Sequence, residues 1–405
     1  MRWPSYRTVW VGAFVSSIGT WMQNVIISEW AYSLTGSKAY VGQLTFALLG
    51  PSLVLPLIGG VLADRFDRRK LATATLIWQM VGCLLLARLA AGSSPSRAGV
   101  LACVALIGMG QALTGPAYQA LLPSLVPPAD LPGAISLGSL QMNLSRVLGP
   151  VVGGLIRPRV GVAGIFLANG LTFIAIIAAL WRVEVPAQEP RARTRPSREL
   201  LEGIRAARKE PTVSATLSTL AIFSFCCLAF IALMPALASD NLKMPTDGFA
   251  YGALYAFFGL GAALGSLLPS TIARHVDRQA LLRTSLLAFA ALLAAFGALR
   301  DPAPAYPVVL GLGVAYFCFV TTLQTVLQAR LESHVRGRVM SLWMMAFAGT
   351  VPLGVLVAGR VADATSVSAV VWVGAAVAVA LVPRTIVRSK LPDPHSAQPA
   401  PGPAH

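Results

Sequence analysis

Apolar runs of about 20 residues recur along the whole chain, each closed by charge, proline or glycine. That length matches what a helix needs to cross a hydrocarbon layer about 30 Å thick. In the first half the runs predict helices over 9–33, 41–63, 71–91, 99–122, 134–156 and 162–181. In the second half they predict 212–238, 249–272, 279–299, 305–328, 338–360 and 367–387. The expected fold class is therefore an all-α integral membrane protein with twelve transmembrane helices in two six-helix bundles, 1–181 and 212–390.

Between the bundles, 182–211 alternates basic residues (Arg191, Arg193, Arg195, Arg198, Arg205, Arg208, Lys209) with Pro and Glu. It reads as a cytoplasmic linker with a short surface helix over 197–209. The tail, 391–405, lacks apolar residues for a core and is expected to be disordered. An ungapped internal match at a shift of 205 residues ties the two halves together. Gly60 falls on Gly265, Gly108 on Gly313, Gln119 on Gln324, Gly149 on Gly354 and Gly154 on Gly359. Two parallel six-helix repeats are a recurrent transporter architecture.

Composition agrees with the pattern: of 405 residues, 56% are hydrophobic and 12% charged, against about 25% charged in soluble domains. A net charge of +16 would suggest nucleic acid as partner in a soluble protein. Here the basic residues lie in short connectors, as the positive-inside rule requires, and no nucleic acid is expected. Counting Lys and Arg on each side places both termini in the cytoplasm and the chain in a cell membrane of inner-membrane type.

The five cysteines (Cys83, Cys103, Cys226, Cys227, Cys318) fall inside apolar runs without CxxC spacing, so neither a disulfide framework nor a metal site is expected. No Walker loop, HExxH or nucleophile elbow occurs. The expected job is therefore transport rather than catalysis, with no cofactor and with the bilayer and a small molecule as partners.

Three constellations carry candidate chemistry. The connector after the second run reads Gly60, Asp64, Arg65, Asp67, Arg68, Arg69, Lys70. The fifth run holds Gly149-Pro150 followed by Gly153-Gly154, with Asn143 and Arg146 upstream. Proline and small residues there make a bendable helix that neighbours can approach closely. Arg146 lies about 18 Å along from Ala134, near the bilayer middle, where an isolated charge is costly and must face a cavity or a partner.

The one carboxylate clearly inside a run is Glu29, toward the end of the first, near Gln23 and Asn24. It is the candidate proton-coupling group, with the outer headgroup region as its alternative setting, and Arg146 is the candidate cation of the same machinery. Gln23, Asn24, Gln111 and Asn143 are candidate substrate anchors in an otherwise apolar pocket, with Trp21, Phe223, Phe225, Tyr255, Phe257 and Phe319 as candidate aromatic lining.

The connector resembles the signature of the major facilitator superfamily between its second and third helices, with Asp67 where the commonest pattern has glycine. Gly-Pro-x-x-Gly-Gly resembles the core of the antiporter motif in the superfamily's drug-exporting branches, although Ser136 and Ser145 stand where the full motif has glycines. The stretch from Trp10 to Gly154, including Ser17 to Gln23, Leu34 to Ser37, Pro51 and Leu121 to Pro127, resembles the branch containing the enterobactin exporter, macrolide efflux proteins and related secretion transporters.

That resemblance implies an alternating-access exporter of a hydrophobic or amphipathic compound, working by proton antiport and functional as a monomer. Gly60, Asp64, Arg65, Arg68 and Arg69 would form a conformational latch, with Gly149, Pro150, Gly153 and Gly154 the helix 5 motif. An uncoupled or uptake facilitator of the same fold, and a transport-inactive receptor, stay open at this stage.

Overall fold

The structure is a computed structural model. It describes residues 3–56, 58–59, 62, 66–121, 124–183, 205, 208, 210–272, 276–331 and 333–385. Gly60, Asp64, Arg65, nearly all of the expected linker and the whole 391–405 tail lie outside the described residues.

The described residues are helical, with no strand among them. In the first half α1 is Pro4–Thr35, α2 begins as Lys38–Leu49, α3 is Arg68–Ala90 and α4 is Arg97–Leu121. The element Leu131–Arg182 contains α5 and α6, divided only at Gly161 (φ 67°, ψ −177°). The expected loop over 157–161 is thus a one-residue break, and it uses a backbone conformation that glycine reaches without steric cost. In the second half α7 begins as Pro211–Cys227. Then follow α8, Phe249–Ile272, α9, Arg278–Ala298, and α10, Ala305–Ala329. The last two are α11, in pieces Ser333–Met344 and Thr350–Ala364, and α12, Val367–Leu381.

Three predicted spans are less regular than their apolar runs suggest. After Leu49, α2 tightens into a 3₁₀ turn at Gly50–Leu53, where Pro51 cannot supply a backbone donor. α7 continues through short turns into a π-helical turn at Leu237–Asn241, and α11 carries a π-turn at Met345–Gly349. Single π-turns inside α-helices frequently mark functional sites.

Nine described helical stretches are long and apolar enough to cross a membrane, and one of them, Pro128–Arg182, contains two spans. α1 is long but studded with polar residues, and α2 is broken at its middle. Ile77, Val81, Leu84 and Leu85 leave one face of α3 exposed and greasy, as a lipid-facing helix requires.

Each half has its own core. One packs residues between Tyr6 and Val183, the other residues between Val213 and Leu381, joined there by Val25. In the second, Phe223 packs against Phe289, Tyr316 and Phe319 at centroid distances of 5.1, 5.9 and 5.0 Å. The halves meet along two seams, α5 on α8 and α2 on α11. A Cβ on Gly154 would come within 3.0 Å of the Gly248 carbonyl, and one on Gly42 within 2.8 Å of the Val355 carbonyl. Backbone therefore lies on backbone at both seams, which only small residues permit.

Candidate functional site

Where the two bundles face each other they form a cavity of 390 Å³. Its walls come from α1 (Trp21, Asn24, Ser28), α2 (Thr45, Ser52), α5 (Arg146, Pro150), the α7 continuation, α8 (Tyr255, Phe258), α10 (Tyr316, Phe317) and α11 (Phe347, Val351). Mostly apolar walls with a few placed polar groups are what a small-molecule site needs.

Of the predicted anchors, Asn24 lines this cavity. Gln23 does not: it is buried inside the first half, where its side-chain oxygen accepts from Asn169 Nδ2 at 2.9 Å. Gln111 and Asn143 are not among the lining residues. Among the aromatic candidates Trp21 and Tyr255 line it, whereas Phe223 and Phe319 belong to the second core and Phe257 is exposed.

Arg146 faces the cavity, as its position demanded. Its guanidinium lies 5.0 Å from the Trp21 ring centroid and 4.7 Å from that of Phe317, one ring from each half. The helix 5 glycines explain how it gets there. Gly149 and Gly153 sit against Trp21 and Met22 of α1, and Gly154 sits against α8, so α5 is held tightly on both sides.

Glu29 lies beyond the cavity, toward the end of α1 opposite Pro4, here termed the far side. It is 2% exposed and pairs with Arg157 at 2.7 Å, while Thr246 of the α7–α8 connector donates to its other oxygen at 3.2 Å. Its cation is thus Arg157, not Arg146. Further ties between the halves occupy the same side. Asp363 at the end of α11 accepts from Ser37 Oγ (2.7 Å), the Lys38 N–H (2.8 Å) and the Ala39 N–H (2.9 Å). Tyr32 donates to Asp240 at 2.5 Å, and Lys38 pairs with Asp240 at 3.1 Å.

In the first turn of α3, Arg69 turns to its own half. It donates to the Trp181 carbonyl at 2.5 Å and lies 4.9 Å from that residue's ring centroid. Asp67, the departure from the usual glycine, caps α3 by accepting from the Lys70 N–H at 2.9 Å.

Asp240, Asp363 and Arg157 were not legible as site residues in the sequence. Each sits at the end of an apolar run, where a charge reads as a boundary mark.

The family model described as transmembrane secretion effector matches residues 1–403. The chain is a transmembrane secretion effector of the major facilitator superfamily. It is 30% identical over 347 residues, 84% of this chain and 81% of the relative, to the enterobactin exporter EntS of Escherichia coli O1:K1. The EntS of Shigella boydii serotype 18 matches to the same extent.

Among solved structures, a variant of the nucleoside transporter NupG superposes with a TM-score of 0.79 at 14% identity, covering 95% of this chain and all of that one. A bacterial homologue of the human lysosomal transporter Spinster, inward-facing and unoccupied, gives 0.72 at 16% identity, covering 95% of each. At such identities these two speak for the twelve-helix fold alone. This secretion effector is a multi-pass membrane transporter of small molecules and not an enzyme, since its relatives are named as transporters.

Proposed function

We propose that this transporter exports a hydrophobic or amphipathic small molecule, siderophore-like, macrolide or drug, across the cytoplasmic membrane by proton-driven alternating access. The observation that carries the reading is the 390 Å³ cavity between the halves, lined from both of them, in a chain 30% identical to an enterobactin exporter. A site shared by two bundles can be exposed to either side when the bundles rock.

In this reading both termini and 182–211 are cytoplasmic, the far side is external, and a single chain suffices. Gly60, Asp64, Arg65, Arg68 and Arg69 form the cytoplasmic latch region, with Arg69 bracing α3 against α6. Glu29 is the coupling carboxylate. Protonating it removes the charge that Arg157 pairs and so loosens a far-side tie that includes Thr246 of the other half.

The test is purified protein in liposomes, loaded with a catecholate siderophore, a macrolide or a lipophilic dye, under an imposed pH gradient. Substrate is expected to move against its own gradient as protons flow the other way, and an uncoupler is expected to stop it. Glu29→Gln is expected to abolish the pH-driven component while leaving downhill exchange. Movement indifferent to the pH gradient would refute antiport, and an intact coupled rate in Glu29→Gln would remove Glu29 from the mechanism.

A further inference from the structure

Among the described residues, Arg146 has a charge with no counterpart. The ion pairs among the described residues are Lys38 with Asp240 and Arg157 with Glu29, and no carboxylate lines the cavity. The guanidinium carbon lies over the Trp21 and Phe317 rings at 5.0 and 4.7 Å, which offsets part of its charge. Rings do nothing for the in-plane N–H groups, of which a guanidinium has five. Arg146 Nη1 is buried, and no described residue accepts a hydrogen bond from it.

The position is also built. A Cβ on Gly259 of α8 would stand 3.1 Å from the Arg146 carbonyl oxygen and 3.3 Å from its Cγ, so any side chain there presses on the stem. A membrane-buried cation held between two rings, with an N–H group that finds no acceptor among the described residues, is a half-made pair.

We propose that the missing half is the substrate, which carries an anionic oxygen pair, such as a carboxylate, on a flat apolar body. The oxygens accept from the guanidinium N–H groups, which suit such an anion best when two of them are engaged together. The body lies along Tyr255, Phe258 and Tyr316, which line the same cavity. Because Trp21 and Phe317 belong to different halves, neutralising Arg146 removes the charge held between two surfaces that must separate and rejoin during transport. The proposal rests on the export reading only in taking this cavity as the substrate site.

The test is equilibrium binding of 2-naphthylacetate, 2-naphthylethanol and 2-naphthylethylamine to the full-length purified chain, by calorimetry and by thermal shift in detergent. The acid is expected to bind at least about tenfold tighter than the alcohol, as a charge-assisted pair allows, and the amine weakest. Arg146→Gln is expected to erase the acid's advantage over the alcohol. Arg146→Lys keeps the sign of the preference at reduced size. Gly259→Ala, which displaces the stem without touching the charge, is expected to weaken the acid selectively.

Equal binding of all three compounds, or an acid preference that survives Arg146→Gln in a folded variant, overturns the anion proposal while leaving the cavity a substrate site. Failure of all three to bind overturns the cavity reading itself and the proposal with it.

Discussion

Replacing Asp363 by alanine isolates one far-side tie. The first turn of α2 has N–H groups without intrahelical partners, and Asp363 of α11 satisfies those of Lys38 and Ala39 while also accepting from Ser37 Oγ. It acts as a capping carboxylate supplied by the other half of the protein. Exposed caps of this kind contribute about 0.5–2 kcal/mol, and the favourable helix-dipole position adds a few tenths more.

Asp363 is exposed, so water recovers part of each bond once the carboxylate is gone. A loss of about 1.4 kcal/mol from the far-side-closed state is the working figure, which lowers the closed-to-open ratio by about tenfold. Ser28 lines the cavity, and a cysteine there reports opening once Cys83, Cys103, Cys226, Cys227 and Cys318 have been replaced. While the open state is the minor one, labelling by an impermeant maleimide added at the far side should quicken by the same factor in Asp363→Ala. Asp363→Asn, which keeps the shape but loses charge and one acceptor, should fall between. A labelling rate within about twofold of the parent would refute the assignment of Asp363 as a closing contact.

The Glu29–Arg157 pair is buried, with side-chain exposures of 2% and 10%, so removing either partner alone strands a charge or an acceptor at a cost of about 3–5 kcal/mol. Thermal unfolding of Glu29→Gln, Arg157→Gln and the double variant should show the double less destabilised than the sum of the singles, and additivity would dissolve the pair. For the seams, Gly154→Leu should lower thermal stability and transport together, since even a Cβ meets α8 backbone at 3.0–3.3 Å and overpacking costs about 1–3 kcal/mol. Gly138→Ala on the same helix meets nothing within 4 Å and should be neutral or slightly stabilising.

The internal match at 205 residues turned out to be the most informative part of the sequence, because its glycines mark equivalent helix crossings. Gly149 sits on Trp21 and Met22 of α1, and Gly354 sits on Phe225 of α7. Gly154 meets α8, and Gly359 meets the start of α2 at Lys38 and Ala39. Gly108 lies on α2 and Gly313 on α8. Hydrophobic periodicity found the spans but not their irregularities, since a π-turn in α11 and a one-residue break at Gly161 leave composition unchanged.

The site was half legible. Arg146 could be placed by the cost of its charge, and Asn24 by its neighbours, because both arguments are local to one helix. Gln23 and Asn24 are adjacent yet point to different fates, one to Asn169 and the other to the cavity, and only the rotation of α1 within the bundle decides between them. The partners Phe317, Thr246 and Asp363 come from the other half, and no pattern within one helix reports which residues a second bundle will bring.

In the proposed alternating-access cycle, the free energy of switching would be held unevenly across the contacts between the halves. At α5–α8 and α2–α11 the halves touch through glycine and backbone, so a small rotation breaks few interdigitated side chains and costs little packing. The polar ties at the far side, through Asp363, Asp240 and Glu29, are by contrast specific and few, each on the scale of about 1 to a few kcal/mol. Under alternating access, a transporter whose seams are smooth and whose end is tied by a handful of charged contacts can be biased by modest events: protonation of Glu29 on one side, or pairing of Arg146 with an anion in the middle. Both act on a contact that spans the halves, the Glu29–Thr246 bond in one case and the Trp21–Arg146–Phe317 stack in the other. A ligand or proton shifts such an equilibrium only by its difference in affinity for the two states, and residues bridging the halves are where that difference is largest.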